Sequence, residues 1–236
     1  WPQPLFIHRA LEHRAAQIEK TQMTTATPSS MRDILLRSPV MPILTVHDAQ
    51  TAGDLAQALV KGGVMVFEVV KRTPATIAAL HAMCEAAPEA DIGMGTLMTP
   101  DDVKTAMQAG AKFGVSPGLT AELAQAIQAH QFPFLPGVAT ASEVMQARAF
   151  GLKELKYFPA QGVAGAQWIK DMAGVFPDVL FCPTGGIRPP DIPTYLSLSN
   201  CRTVGGSWVV PPELLKDRAW HDITELAKQA SGFRPQ

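Results

Sequence analysis

The stretch VMPILTVHDAQTAGDLAQALVKGGVMVFEVV, residues 40–70, holds two apolar runs with a helix-like segment between them. In that segment Ala52, Leu55, Ala56 and Leu59 recur at helical spacing, and Gly62 supplies a stop. The flanking runs, 40–46 and 64–70, are short, rich in Val and Ile, and suited to strands buried on both faces. One strand, one helix and one strand make a single β/α/β unit. The question is whether the unit repeats.

It does. Further apolar runs lie at 91–95, 112–116, 132–137, 154–160, 179–186 and 201–208. Their centres recur roughly every 20–26 residues, the length of one β/α unit. The segments between them, such as TPDDVKTAMQAGA and TASEVMQARAFG, open with Thr followed by an acid, which suits a helix N-terminus. Eight units predict an α/β chain folded as a (β/α)8 TIM barrel, a single domain over residues 31–236. An open doubly wound sheet is the alternative, and the count of eight favours closure.

Composition agrees. The chain has 236 residues, formal net charge −1, 47% hydrophobic and 17% charged residues, enough for a sizeable core. Near-neutral charge without a basic run argues against nucleic acid as a partner. No apolar window is long enough to cross a membrane. Three well-separated cysteines, Cys84, Cys182 and Cys201, fit reduced thiols in a cytoplasm.

Residues 1–30 read differently. Residues 1–22 carry charges throughout without a long apolar core, which argues against a signal peptide. Met23 reads as a natural start, and Ser29 or Ser30 as the N-cap of a helix before Met31. The expectation is an N-terminal helical extension, with residues 1–22 upstream or cloning-derived. Deleting residues 1–22 should leave activity intact; a truncated chain that loses activity while staying folded would contradict this.

In such a barrel, chemistry sits at the C-terminal ends of the strands. Run two ends FEVVKRT, where Glu68, Val70 and Arg72 share parity and Phe67, Val69 and Lys71 face the other way. A carboxylate facing the mouth can move protons, and a guanidinium can hold a substrate carboxylate in a fork. A structural Glu–Arg pair is the bland reading. Run six, in GLKELKYFPA, places Lys156 between Leu155 and Tyr157. A solvated lysine suits Lys153 better than Lys156. Burial favours the uncharged, nucleophilic form of an amine, as Schiff-base chemistry requires. A buried ion pair with Glu68 is the competing explanation. Runs seven and eight carry PTGGI and VGGSW, and the loops after the last two strands of such barrels often bind phosphate through backbone N–H groups. The six histidines form no metal-ligand spacing; His47 alone ends a run. Cys182 reads as core packing.

These motifs carry a likeness. FEVVKRT, GMGTLMTP, GVSPGLT, FLPGVATASEV, LKYFPA, FCPTGGI and VGGSW stand in the order and spacing of the 2-keto-3-deoxy-6-phosphogluconate aldolases, many of which also act on 4-hydroxy-2-oxoglutarate. The chain from about Met31 onward resembles these class I, Schiff-base enzymes of the Entner–Doudoroff pathway. The resemblance implies Lys156 as the Schiff-base lysine and Glu68 as the general acid/base. It implies Arg72 on the pyruvate carboxylate, Thr96 and Pro117 lining the same pocket, and Thr184 along the hydroxylated chain. Gly185, Gly186, Gly206 and Ser207 match the phosphate site. It further implies a cytoplasmic homotrimer that needs no cofactor and no metal.

The sequence also departs from the family. The usual EVTLRT is here EVVKRT, so Val70 and Lys71 replace Thr and Leu. Lys71, of outward parity, could reach solvent or an anionic substrate. After the lysine, Gln161 stands for an acid and Ala164 breaks a glycine pair. Alternatives are an aldolase for the galactonate epimer or for a non-phosphorylated 2-keto acid. An alternative of another class is a non-catalytic phosphate-binding barrel.

Overall fold

The computed structural model describes residues 30–161 and 164–233. The expected extension over residues 1–29 lies outside them. Among the described residues nine short strands alternate with helices, except that β6 follows β5 directly: β1 (Val40–Leu44), β2 (Val66–Val70), β3 (Asp91–Gly95), β4 (Phe113–Val115), β5 (Phe134–Leu135), β6 (Gly137–Val138), β7 (Glu154–Tyr157), β8 (Leu180–Pro183) and β9 (Val204–Gly206). The helices are α1 (Met31–Leu36), α2 (Ala52–Lys61), α3 (Thr76–Ala86), α4 (Pro100–Gln108), α5 (Ala121–His130), α6 (Ala141–Ala149), α7 (Gly165–Val175), α8 (Ile192–Leu196), α9 (Pro212–Lys216) and α10 (Trp220–Gly232).

The strands form a parallel barrel. Six pair in the order β5-β4-β3-β2-β1-β9 and three in the order β6-β7-β8. Parallel bridges Phe181↔Cys201 and Thr184↔Gly205 join the β8 and β9 segments. The remaining seam is the run 132–137, read from sequence as one strand. Pro136 has no N–H to give a ladder, so the run divides there. Its first half pairs with β4 and its second with β7. Lys156 N still donates to Pro136 O at 2.8 Å, which keeps the seam joined. A methyl on Gly137 would lie within 2.8 Å of Gly118 N, so the chain at this seam has no room for a side chain.

Strand alternation sorts the side chains into two apolar clusters. Phe67, Val69, Ile92 and Leu155 pack outward under the helices. Met41, Val66, Phe113, Val115, Leu135 and Cys182 fill the barrel interior. The interior cluster also takes Met31, Ile34 and Leu35 from α1. Ser30 caps that helix, its side chain accepting from Asp33 N while Asp33 accepts from Ser30 N. Arg32 Nε meets Glu154 Oε1 at 2.8 Å and Arg37 meets Asp91. Glu154 and Asp91 begin their strands, so α1 closes the N-terminal end of the barrel and leaves the other end for a site.

Helix starts follow the sequence signals. Thr99 with Asp102 and Thr140 with Glu143 form reciprocal capping boxes on α4 and α6. No helix among the described residues is long and apolar enough to cross a membrane. All three cysteines are free thiols.

Candidate active site

The inward parity of β2 and β7 brings Glu68 and Lys156 together. Glu68 is fully buried and Lys156 is 7% exposed. Lys156 Nζ stands 3.6 Å from Glu68 Oε2, inside ion-pair range but longer than a good hydrogen bond. Neither carboxylate oxygen has a hydrogen-bond partner among the described residues. Such an orphaned buried carboxyl calls for an explanation. Burial pushes its pKa up, and the positive charges of Lys156 and Arg72 oppose that without cancelling it. The carboxyl therefore holds a proton more readily than a solvated one, next to an amine, where it can give and take a proton.

What fixes the carboxyl is an absence of side chain opposite it. On β3, Gly95 pairs in register with Val70. A methyl on Gly95 would overlap Glu68 Oε1 and come within 2.5 Å of Glu68 Cδ. Gly95→Ala is expected to turn the carboxyl away and lower kcat roughly 100-fold, the scale of a 1 Å misplacement. Steady-state assays with a circular-dichroism check on folding measure this. A folded variant with wild-type kcat would show that the carboxyl position does not matter. The next residue, Thr96, sits at φ 64, an uncommon conformation for a β-branched residue and a mark of local strain at the end of β3.

Lys156 opens onto a cavity of about 400 Å³ lined by Ile43, Val70, Arg72, Phe158, Thr184, Gly185, Gly186, Ile187, Arg188, Gly205, Gly206, Ser207 and Trp208. Its nitrogen lies 5.3 Å from the centre of the Phe158 ring. Cys182, in register with Lys156, is buried beneath, and burial pushes its thiol up to about 12, so it stays an inert thiol. Gly185 and Gly186 take φ of 104 and 78, values open to glycine. Gly205 gives room to Thr184, since a methyl there would stand 2.9 Å from Thr184 Cγ2.

Seven residues singled out from the sequence thus share one cavity wall: Lys156, Arg72, Thr184, Gly185, Gly186, Gly206 and Ser207. Glu68 lies behind Lys156. Thr96 and Pro117, at the end of β3 and after β4, are not on that wall. Sequence reasoning gave no role to Phe158, Arg188 and Trp208, although Phe158 and Trp208 lie inside motifs it did read and Arg188 directly follows one.

The departures also find places. Val70 lines the cavity. Lys71 reaches solvent, as its outward parity led one to expect, and its amine is tied to Asp102, a residue that also caps α4. Gln161 Nε2 donates to Asp191 Oδ2 at 3.2 Å, a contact that an acid at this position would turn into repulsion. A larger cavity of about 740 Å³ lies alongside, sharing Ile43 and Ser207, but contains neither Lys156 nor Glu68. Among the described residues no group of three His, Cys, Asp or Glu could hold a metal ion.

Comparison with known proteins places this geometry. The family model "Aldolase: KDPG and KHG aldolase" matches residues 31–226. The chain is 41% identical over 202 residues to the KHG/KDPG aldolase of Escherichia coli (strain K12), covering 86% of this chain and 95% of that one. It is 45% identical over 210 residues to the 2-dehydro-3-deoxy-phosphogluconate aldolase of Zymomonas mobilis, covering 86% and 98%. Among solved structures, KDPG aldolase from Legionella pneumophila, with pyruvate captured at low pH as a covalent carbinolamine intermediate, is similar at TM-score 0.84 and 42% identity, covering 86% and 99%. The Zymomonas mobilis ZM4 aldolase with 3-phosphoglycerate is similar at TM-score 0.81 and 42% identity, covering 86% and 96%.

Proposed function

The chain belongs to the KDPG and KHG aldolase family, and on that premise we propose that it cleaves 2-dehydro-3-deoxy-6-phosphogluconate to pyruvate and glyceraldehyde 3-phosphate through a Schiff base on Lys156. The observation that carries the reading is the Lys156–Glu68 pair, 3.6 Å apart and buried at the base of a cavity whose wall bears no acid.

The steps follow from that pair. Lys156 Nζ attacks the C2 ketone, and the oxygen takes up a proton to give a carbinolamine. Loss of water leaves an iminium, an electron sink at C2. Glu68 as carboxylate takes the C4 hydroxyl proton, directly or through one water. The C3–C4 bond then breaks: its electrons move into the iminium to form an enamine, and C4 leaves as the aldehyde. Protonated Glu68 returns its proton to C3 of the enamine. Hydrolysis of the resulting iminium frees pyruvate and restores the amine. Arg72 holds the carboxylate in one orientation throughout, which converts encounter into a positioned reaction. Thr96 and Pro117 shape the pyruvate end from outside the cavity wall, and Thr184 faces the hydroxylated chain. Gly185, Gly186, Gly206 and Ser207 offer N–H and O–H donors to the phosphate.

The same chemistry cleaves 4-hydroxy-2-oxoglutarate to pyruvate and glyoxylate, a reading supported by the name of the Escherichia coli relative. We extend the proposal to a cytoplasmic homotrimer on the strength of the family resemblance; light scattering on the purified chain measures the assembly. The reaction is tested by a coupled assay for pyruvate release from the phosphorylated acid, its galactonate epimer, the unphosphorylated acid and 4-hydroxy-2-oxoglutarate. The phosphorylated gluconate is expected to give the highest kcat/KM. A ligand that raises Tm without any turnover would instead favour the non-catalytic barrel.

A further inference from the structure

Three cations stand on the cavity wall, and only two have a task. Lys156 is the nucleophile and Arg72 is set for the carboxylate. Arg188 is the third, two residues beyond the Gly185–Gly186 turn. We propose that Arg188 is a specificity-determining residue that grips the terminal phosphate of the substrate and selects phosphorylated over unphosphorylated 2-keto acids. The inference rests on the aldolase reading above.

Placement supports it first. Around the barrel the strands run β7, β8, β9, β1, β2. Lys156 is on β7, Arg188 follows β8 and Arg72 follows β2. The two guanidiniums are therefore separated by β9 and β1, and Lys156 is next to the Arg188 side. A substrate held at C2 by Lys156, with its carboxylate toward Arg72, sends its other end along the loops after β8 and β9. Those are the loops of Gly185, Gly186, Gly206 and Ser207.

The electrostatics support it second. Asp191 is the acid nearest in sequence to Arg188, yet its Oδ2 is engaged elsewhere. It accepts from Arg188 N at 3.0 Å and from Gln161 Nε2 at 3.2 Å. Gly186 lies against that same Gln161, where a methyl would stand 2.9 Å from Cγ. The loop after β8 is thus braced to the segment after β7. Among the described residues no carboxylate lies within 4.0 Å of the Arg188 guanidinium. An unpaired, exposed guanidinium on a fixed backbone, at the rim of a cavity without acids, is set to receive an anion. Glycine N–H groups bind phosphate as neutral dipoles. A guanidinium adds full charge and a planar fork that matches two phosphate oxygens, which a terminal hydroxyl cannot satisfy.

The test compares kcat/KM for phosphorylated and unphosphorylated substrate in the full chain, Arg188→Ala and Arg188→Lys. Expected is a roughly 10- to 100-fold fall in the phosphorylated-to-unphosphorylated ratio in Arg188→Ala, carried by KM and partly restored in Arg188→Lys. Parallel loss on both substrates would show a merely structural role, and an unchanged ratio would show a bystander; either overturns the proposal. A second measurement needs no turnover. Inorganic phosphate should raise Tm of the wild type clearly more than that of Arg188→Ala, and equal shifts would overturn the proposal. If phosphate binding depends on Arg188 while no 2-keto acid is cleaved, the aldolase reading falls and the anion site stands.

Discussion

Lys156→Ala is expected to abolish pyruvate release, lowering kcat by on the order of 10⁴-fold or more, as loss of a covalent nucleophile does. Among the described residues no other amine is placed to take over. Lys153, three residues earlier, is half-exposed and meets Asp178 at 3.2 Å. Lys71 is tied to Asp102 outside the barrel mouth. The variant should still fold. Removing one member of a buried ion pair is costly when it strands a charge. Here burial raises the Glu68 pKa, and losing the opposing charge of Lys156 raises it further, so the carboxyl can take up a proton rather than stay a charge without a partner. Steady-state pyruvate release from folded Lys156→Ala protein, checked by circular dichroism, measures the effect. A residual rate within tenfold of wild type would remove Lys156 from the centre of the mechanism.

Glu68→Gln is expected to lower kcat roughly 10²- to 10⁴-fold with a smaller change in KM, the usual contribution of general acid–base catalysis. It also carries a pH signature. Burial raises the Glu68 pKa above 4.5. A raised carboxyl keeps its proton past the pH where an ordinary one has ionised, and loses it only as pH rises through the raised value. Cleavage starts from the carboxylate, which takes the C4 hydroxyl proton and then returns that same proton to C3. The acid limb of kcat assigned to Glu68, where activity is lost as pH falls through its raised pKa, therefore lies above the ordinary carboxylate value of about 4.3 and disappears in Glu68→Gln. A limb at the ordinary value, or one that survives the substitution, would assign the proton transfers elsewhere.

The barrel was legible because its period is written in the chain: apolar runs, glycine stops and threonine caps recur. The contrast between Lys153 and Lys156 was legible too, since one sits before the strand and the other inside it. Seam geometry was less so. The run 132–137 reads as one strand, and only the ladder shows that Pro136 divides it between two neighbours. Gly95 reads as a turn glycine; its fit against Glu68 depends on a cross-strand register that no local pattern encodes. Lys71 looked available to an anion because Asp102, its partner, lies 31 positions away. Arg188 directly follows PTGGI, yet no local pattern marks it; its meaning comes from the cavity it shares with Lys156.

The central claim is that Lys156 forms the Schiff base. Incubating the protein with pyruvate and borohydride, then locating the reduced adduct by peptide mass spectrometry, tests it most directly. The account predicts one adduct, on Lys156, and its loss in Lys156→Ala. An adduct on any other lysine, or no adduct in protein that releases pyruvate, would contradict it.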